Sequence, residues 1–171
     1  VRESSLLGIN KIRLTGGEPL IKKDLEILIE KIAGIQGIKE LCLTTNGIML
    51  AQKAQTLKQA GLTSINISLD TLQPEKYRDI TRGGNLTDVL RGIDKAVNEG
   101  FKIKLNMVVL KGINEDEIAA IRRFCLDKNI STQLINHFSL KSNKNDEYFF
   151  DRPPKCLNCN RIRLLSDGVL K

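Results

Sequence analysis

The sequence predicts a partial, open barrel of parallel strands and helices, of the TIM-barrel type, with about five strand–helix units. One observation is that short apolar strands alternate with helical segments about every 25–35 residues, the spacing of βαβ units in a parallel sheet. Another is that several strands carry polar side chains on one face only. A doubly wound sheet, which helices bury on both faces, is more uniformly apolar. The one-sided polar lining therefore favours a barrel lumen that holds a ligand.

Each element is predicted from its periodicity and from the glycine or turn residues that end it. In chain order, the predicted elements are a helix end closed by Gly8, a strand at 11–15, a helix at about 23–33, a strand at 40–45, a helix at about 50–60, a strand at 64–70, a helical stretch from Thr71 to Gly83, a helix at about 86–99, a strand at 102–110, a helix at about 114–128 and a strand at 132–138. Asn114 is expected to cap the last helix.

Residues 139–155 lose this periodicity and are predicted to form a loop or linker. The predicted organisation is a barrel core at 1–138, the linker at 139–155, and the start of another segment at 156–171. Because the chain begins with Val1 and stops just after a strand-like segment, we expect a piece of a longer protein trimmed at both ends.

The composition is typical of a globular protein and indicates an acidic partner. With 171 residues, the chain fits one domain with a sizeable core. No run reaches the ~20 apolar residues of a membrane span and no signal peptide is evident, so we expect a cytoplasmic protein. The net charge of +7 indicates an anionic partner. Because two Tyr, five Phe and no Trp offer little surface for base stacking, a small phosphorylated molecule is favoured over nucleic acid.

The first strand and its turn carry the most distinctive pattern. Lys11 and Arg13 share one face of the strand, and two cations there need an anion. Gly16 and Gly17 let the backbone approach a ligand closely, and Glu18 adds an acceptor for an amine. An ordinary βα turn beside a solvated cation pair is the alternative interpretation.

Similar turns follow three more strands, at 44–47, 68–71 and 111–112. Because the carboxyl ends of parallel strands meet at one edge of a barrel, these turns are predicted to form one site there.

The pair Cys156 and Cys159, spaced as Cys-x-x-Cys, indicates half of a metal or cluster site. Two thiolates cannot complete a tetrahedral site, and His137, the single histidine, is interpreted as a polar strand-end residue. Arg161 and Arg163 place two more cations on one face and suit a phosphate, although an ordinary basic surface strand has the same pattern.

Four segments together form a specific pattern: Lys-Ile-Arg-Leu-Thr-Gly-Gly-Glu-Pro-Leu from residue 11, Thr-Thr-Asn-Gly from residue 44, Asn-Ile-Ser-Leu-Asp-Thr from residue 66, and Cys-Leu-Asn-Cys-Asn-Arg-Ile-Arg-Leu from residue 156. In order and spacing they resemble the GTP cyclase family of molybdenum cofactor biosynthesis, whose members are radical S-adenosylmethionine (SAM) enzymes. The resemblance covers most of residues 6–138 and 156–171.

The resemblance implies a role for each matched residue. It implies that SAM is held by Gly16, Gly17, Glu18 and Ser68. It implies that GTP is held by Lys11, Arg13, Thr44, Lys104, Arg161 and Arg163. Cys156 and Cys159 would ligate a C-terminal [4Fe–4S] cluster together with a ligand expected beyond Lys171.

The implied chemistry is reductive cleavage of SAM to a 5′-deoxyadenosyl radical, hydrogen abstraction from the ribose of GTP, and closure onto the base. The resemblance also implies a homodimer and a downstream pterin-forming enzyme as a partner. The Cys-x-x-x-Cys-x-x-Cys motif that binds the SAM-cleaving cluster does not occur in these residues, so the chain alone is not expected to start the reaction.

Two alternatives stay open. Where the family has an Arg followed by Phe-Ile-Glu, this chain has Gln133 at the start of Gln-Leu-Ile-Asn-His, and the linker at 139–155 is short. Both departures favour a related radical SAM enzyme with another substrate such as a peptide, whereas Arg161 and Arg163 oppose it. The other alternative is a non-catalytic barrel that binds nucleotides or nucleic acid through its basic lumen or a zinc site.

Overall fold

Five parallel strands form one open sheet whose strand order follows the chain. The computed structural model describes residues 1–136 and 161–170. The strands are β1 (Lys11–Leu14), β2 (Glu40–Thr45), β3 (Ser64–Ser68), β4 (Lys102–Val109) and β5 (Ser131–Asn136). All four neighbouring pairs are parallel, so the predicted open barrel of parallel strands is confirmed.

Helices connect the strands as the periodicity predicted. They are α1 (Arg2–Leu6), α2 (Leu25–Ala33), α3 (Leu50–Gln59), α4 (Pro74–Thr81), α5 (Leu86–Asn98) and α6 (Ile118–Asp127). Short 3₁₀ turns at Pro19–Ile21 and Glu115–Glu117 precede α2 and α6. Within residues 1–136 and 161–170, no helix has the length and apolar character needed to cross a membrane.

Two local predictions are wrong. β3 ends at Ser68, so Leu69 and Asp70 belong to the turn and not to the strand. The side chain of Asn114 caps no helix, because it is used in hydrogen bonds to the turns after β3 and β4. A partner distant in the chain has therefore replaced the local cap.

The core lies between the helices and one face of the sheet. On that face, Leu41, Leu43, Ile65, Ile67 and Leu105 are at most 1% exposed. The helices cover them with the fully buried side chains Ile29, Leu57, Ile93 and Ile121. Burying a side chain of this size contributes about 1.5–3 kcal/mol, so this face holds the helix layer to the sheet. Cys125 of α6 is buried in this layer as well.

The other face of the sheet is polar, and we call it the lumen face. Its side chains lie in register across the strands: Lys11 with Glu40; Arg13 with Cys42, Ser64 and Lys102; Thr44 with Asn66, Lys104 and Ser131; and Ser68 with Asn106 and Gln133. The predicted one-sided lining is confirmed, and it brings side chains far apart in the chain onto one surface.

Close packing fixes the turn between β2 and α3. A Cβ on Gly92 of α5 would lie 2.4 Å from the carbonyl oxygen of Gly47, so only glycine lets the helix approach that turn so closely. Gly47 itself has a φ of +85° and faces Val89 and Ile67. Helix α5 therefore supports one of the turns at the carboxyl end of the sheet.

Candidate active site

The turn after β1 leaves its backbone open. Gly16 and Gly17 are exposed, and a Cβ on either glycine would meet no heavy atom within 4 Å. A ligand can therefore approach this stretch of backbone closely, as the sequence predicted. The open space lies at the carboxyl end of the sheet, where barrels of this type bind their ligands.

Glu18 ties this turn to the turn after β2. Its Oε1 accepts hydrogen bonds from the Thr45 hydroxyl at 2.6 Å and from the Leu20 N–H at 3.1 Å, and its Oε2 accepts one from the Asn46 N–H at 2.8 Å. An ionised carboxylate offers about four acceptor positions, so these three bonds leave little capacity for a ligand amine. The role predicted for Glu18 toward SAM stays a prediction, while its contacts give it a positioning role.

A second group of buried polar side chains ties the turn after β3 to the turn after β4. The amide nitrogen of Asn114 donates to the carbonyl oxygens of Asp70, at 2.7 Å, and Val108, at 2.9 Å, and its Oδ1 accepts from the Leu110 N–H at 2.7 Å. Asp70 accepts from the Val108 N–H at 2.7 Å. Burial raises the pKa of the Asp70 carboxyl, and this hydrogen bond opposes the rise.

Glu117 completes this second group. Its carboxylate accepts from the Leu72 N–H at 2.9 Å and lies 2.7 Å from the Thr71 hydroxyl and 3.1 Å from the Lys76 ammonium. The pKa of Lys76 is raised first by its hydrogen bond to Glu117. The sequence interpretation missed Asn114 and Glu117 as parts of the site's support, because it assigned their acidic stretch to a helix start.

Two polar residues, Ser68 and Asn106, lie at the carboxyl end of the lumen face. Ser68 is exposed at the end of β3, and Asn106 is its register partner on β4. The Oδ1 of Asn106 is buried without a hydrogen-bond donor in the described part of the chain. A buried unpaired acceptor is costly, so this oxygen is suited to receive a donor from a ligand. The sequence analysis did not predict Asn106 as a site residue.

Cations line the lower part of the lumen face. A cavity of about 110 Å³ is lined there by Lys11, Arg13, Glu40, Cys42, Ser64, Asn66, Lys102, Ile103, Lys104 and Ser131. Lys11 pairs with Glu40 at 2.7 Å, whereas Arg13 and Lys104 form no ion pair within residues 1–136 and 161–170. Thr44, half-buried, lies beside Asn66 in the register. A larger hollow of about 650 Å³ lies between α1 and α2, away from these cations and from the strand ends.

The remaining predicted residues lie elsewhere in the chain. Arg161 and Arg163 are exposed and precede a bridge between Leu164 and Leu170, and no hydrogen bond joins either arginine to the lumen face in the described segments. Cys156, Cys159, His137 and the linker at 139–155 lie outside the described residues. The structure therefore assembles the predicted residues from β1 to β4, but it does not test the cysteine pair.

A family model described as the radical SAM superfamily matches residues 1–125. The chain belongs to the radical SAM superfamily. Within it, the chain is 46% identical over 136 residues to a GTP 3′,8-cyclase of Pelotomaculum thermopropionicum, covering 79% of this chain and 42% of that protein. It is 37% identical over 214 residues to a GTP 3′,8-cyclase of Clostridium botulinum, covering 100% of this chain and 67% of that protein. The resemblance to the GTP cyclases is thus confirmed.

The chain spans 42% and 67% of the lengths of these two curated relatives. Among solved structures, SuiB of Streptococcus suis matches with a TM-score of 0.71 at 19% identity, over 82% of this chain and 32% of that one. At that identity, the similarity to SuiB establishes a shared fold alone. Membership in the superfamily implies SAM and a [4Fe–4S] cluster as cofactors.

Proposed function

We propose that this chain is the SAM- and GTP-binding part of a GTP 3′,8-cyclase of molybdenum cofactor biosynthesis. The observation that carries the proposal is the pair Arg13 and Lys104, two cations on the lumen face without a carboxylate partner in the described residues. Uncompensated cations in a concave site favour an anionic ligand. The naming of the curated relatives supports GTP as that ligand.

SAM would bind at the carboxyl end of the sheet. The exposed backbone at Gly16 and Gly17 leaves room for it, and the hydroxyl of Ser68 and the unpaired oxygen of Asn106 offer polar contacts. Glu18 would hold the glycine turn in place through its bonds to the turn after β2. When bound, SAM and its cluster supply the radical chemistry, and the protein's task is to orient the two ligands.

GTP would occupy the lumen with its phosphates toward Arg13 and Lys104. The cavity of about 110 Å³ among the cations fits a small anionic group, since whole ligands of nucleotide size occupy roughly 300–1,000 Å³. The base and ribose would then lie toward the SAM site at the carboxyl end of the sheet, and Thr44, which is level with Lys104 in the register, would contact the nucleotide between the two. Arg161 and Arg163 as further GTP contacts, and Cys156 and Cys159 as ligands of a second cluster, rest on the sequence pattern alone.

The same proposal includes three statements about the whole protein. Two of them, a homodimer and a downstream enzyme that consumes the pterin precursor, follow from the family; the third, a cytoplasmic location, rests on the sequence pattern instead. None of them depends on a contact described above.

The test measures GTP binding by calorimetry on the full-length protein under anaerobic conditions. Arg13→Met and Lys104→Met should each weaken binding by at least about tenfold, because a hydrogen bond to a charged group is worth about 1.5–3 kcal/mol. Arg123→Met is the matched control, since it removes the same charge from an exposed pair with Asp127 on α6. Unchanged affinity in both lumen variants contradicts the proposal.

A second function is favoured by Gln133, which lies beside Asn106 in the lumen register where the GTP cyclases have a cation. A neutral side chain at this position suits a less charged substrate, such as a peptide. The solved SuiB structures include one bound to a precursor peptide. SAM cleavage by the full-length protein separates the two functions: stimulation by GTP supports the cyclase, and cleavage that ignores GTP supports the other substrate.

A further inference from the structure

The amino end of the lumen face contains an acidic residue among the cations. Glu40 is the first residue of β2 and the register partner of Lys11, the first residue of β1. Its Oε1 lies 2.7 Å from the Lys11 ammonium and accepts a hydrogen bond from the Ser64 hydroxyl at 3.1 Å. The hydrogen bond from Lys11, more than any other contact, lowers the pKa of Glu40, so its carboxylate is ionised at neutral pH.

The cations of the lumen face therefore differ in how available they are to an anionic ligand. Lys11 forms an ion pair with Glu40. Lys102 forms no ion pair in the described residues, but it is near enough to Glu40 to contribute to the lowered pKa of that carboxyl. Arg13 lies two residues further along β1 than Lys11, which is about 6–7 Å nearer the carboxyl end. Neither Arg13 nor Lys104 has a carboxylate partner in the part of the chain that the structure describes. All five side chains line the same cavity.

We propose that Glu40 is a specificity-determining residue that closes the amino end of the lumen to phosphate groups, so that the phosphate chain ends at Arg13 and Lys104. This inference rests on the proposed binding of a nucleoside triphosphate in the lumen, and it removes Lys11 from the GTP contacts that the resemblance implies. A phosphate that reached Lys11 would have to displace Glu40 from it or lie beside the Glu40 carboxylate. The first arrangement breaks the Lys11–Glu40 ion pair, and the second places two negative groups side by side, so both are unfavourable.

The pair has little value as a structural link. Lys11 and Glu40 retain 50% and 37% of their side-chain exposure, and exposed ion pairs contribute about 0–1 kcal/mol to folding. Replacing Glu40 with Gln preserves the shape of the side chain and its ability to accept from Ser64. An effect of Glu40→Gln is therefore expected in ligand binding and not in stability.

The experiment compares inorganic triphosphate with pyrophosphate by calorimetry on the full-length protein. Glu40→Gln should bind triphosphate about three- to fivefold more tightly, because an exposed charge pair is worth up to ~1 kcal/mol, and should change pyrophosphate binding less than about twofold. Lys11→Met alone should weaken triphosphate binding less than about twofold. Combined with Glu40→Gln, Lys11→Met should remove the gain, since the freed ammonium is its source.

The outcomes separate this inference from the proposed function. Triphosphate binding that is weakened or unchanged in Glu40→Gln overturns the role of Glu40. So does a loss in Lys11→Met as large as the loss in Arg13→Met, because Lys11 is then a direct phosphate ligand that Glu40 orients. If Arg13→Met and Lys104→Met bind triphosphate as well as the unsubstituted protein does, the lumen does not bind phosphate and the proposed function fails as well. Equal melting temperatures of the variants exclude a folding defect as the cause.

Discussion

Replacing Asn114 with Ala tests whether a buried amide joins the turns after β3 and β4. Asn114 is fully buried, and its side chain makes three hydrogen bonds, to Asp70, Val108 and Leu110. The substitution leaves two carbonyl oxygens and one N–H without these partners. Each buried group left unpaired costs about 1–3 kcal/mol, and water entering the space left by the amide recovers part of it. We therefore expect a loss of about 3–5 kcal/mol in the free energy of unfolding.

A loss of this size is a large share of the ~5–15 kcal/mol that stabilises a typical domain. Urea unfolding of the full-length protein, followed by circular dichroism, gives the midpoint and slope from which the loss is calculated. Asn98→Ala is the control, because Asn98 is exposed near the end of α5 and should change stability by less than about 0.5 kcal/mol. A loss below about 1 kcal/mol in Asn114→Ala, with an unchanged slope, would refute the assignment of these three bonds as the link between the turns.

Two further predictions concern packing and titration. Gly92→Ala should destabilise the protein by about 1–3 kcal/mol in the same urea assay, because its Cβ would meet the backbone oxygen of Gly47 at 2.4 Å; Gly34→Ala, whose nearest contact is 3.5 Å, should not. The pKa of the Asp70 carboxyl is raised above its ordinary value of 3.8, so the folded state binds this proton more tightly than the unfolded state does. The contribution of Asp70 to the free energy of unfolding therefore falls as the pH rises from 3.8 through the raised pKa. Asp70→Asn should therefore gain stability relative to the unsubstituted protein over that pH interval, and an interval without such a gain contradicts the raised pKa.

Local patterns were sufficient to predict the sheet and its helices. The strand β2 was predicted with its observed bounds, because apolar residues between a glycine-rich turn and Asn-Gly leave little alternative. The sequence also separated the lumen face from the core face correctly, since side chains alternate along a strand. The bounds of a strand and the face on which each side chain lies depend on a few neighbouring residues.

The support of the site could not be predicted in the same way, because its partners are far apart in the chain. Glu18 bonds to Thr45 across 27 positions, and Thr71 bonds to Glu117 across 46. An acidic stretch after Asn114 looks the same in sequence whether it caps a helix or braces a distant turn. The pairing of Lys11 with Glu40 likewise depends on the register between two strands, which no local pattern specifies.

The side-chain hydrogen bonds at the carboxyl end of the sheet fall into two groups, and each group joins two neighbouring turns, so this end of the sheet has two halves. Glu18 secures the turns after β1 and β2 to each other, and Asn114 and Glu117 secure the turns after β3 and β4. At this carboxyl end, none of the side-chain hydrogen bonds of the described residues joins the two halves; the β2–β3 ladder and the packing of α5 against the turn after β2 connect them. A molecule that contacted both Gly17 and Asn106 would span the boundary between the two halves. Such a molecule would add polar contacts between two halves that share no side-chain hydrogen bond of their own at this edge in the described residues, so part of the order of the proposed site would come from its ligand.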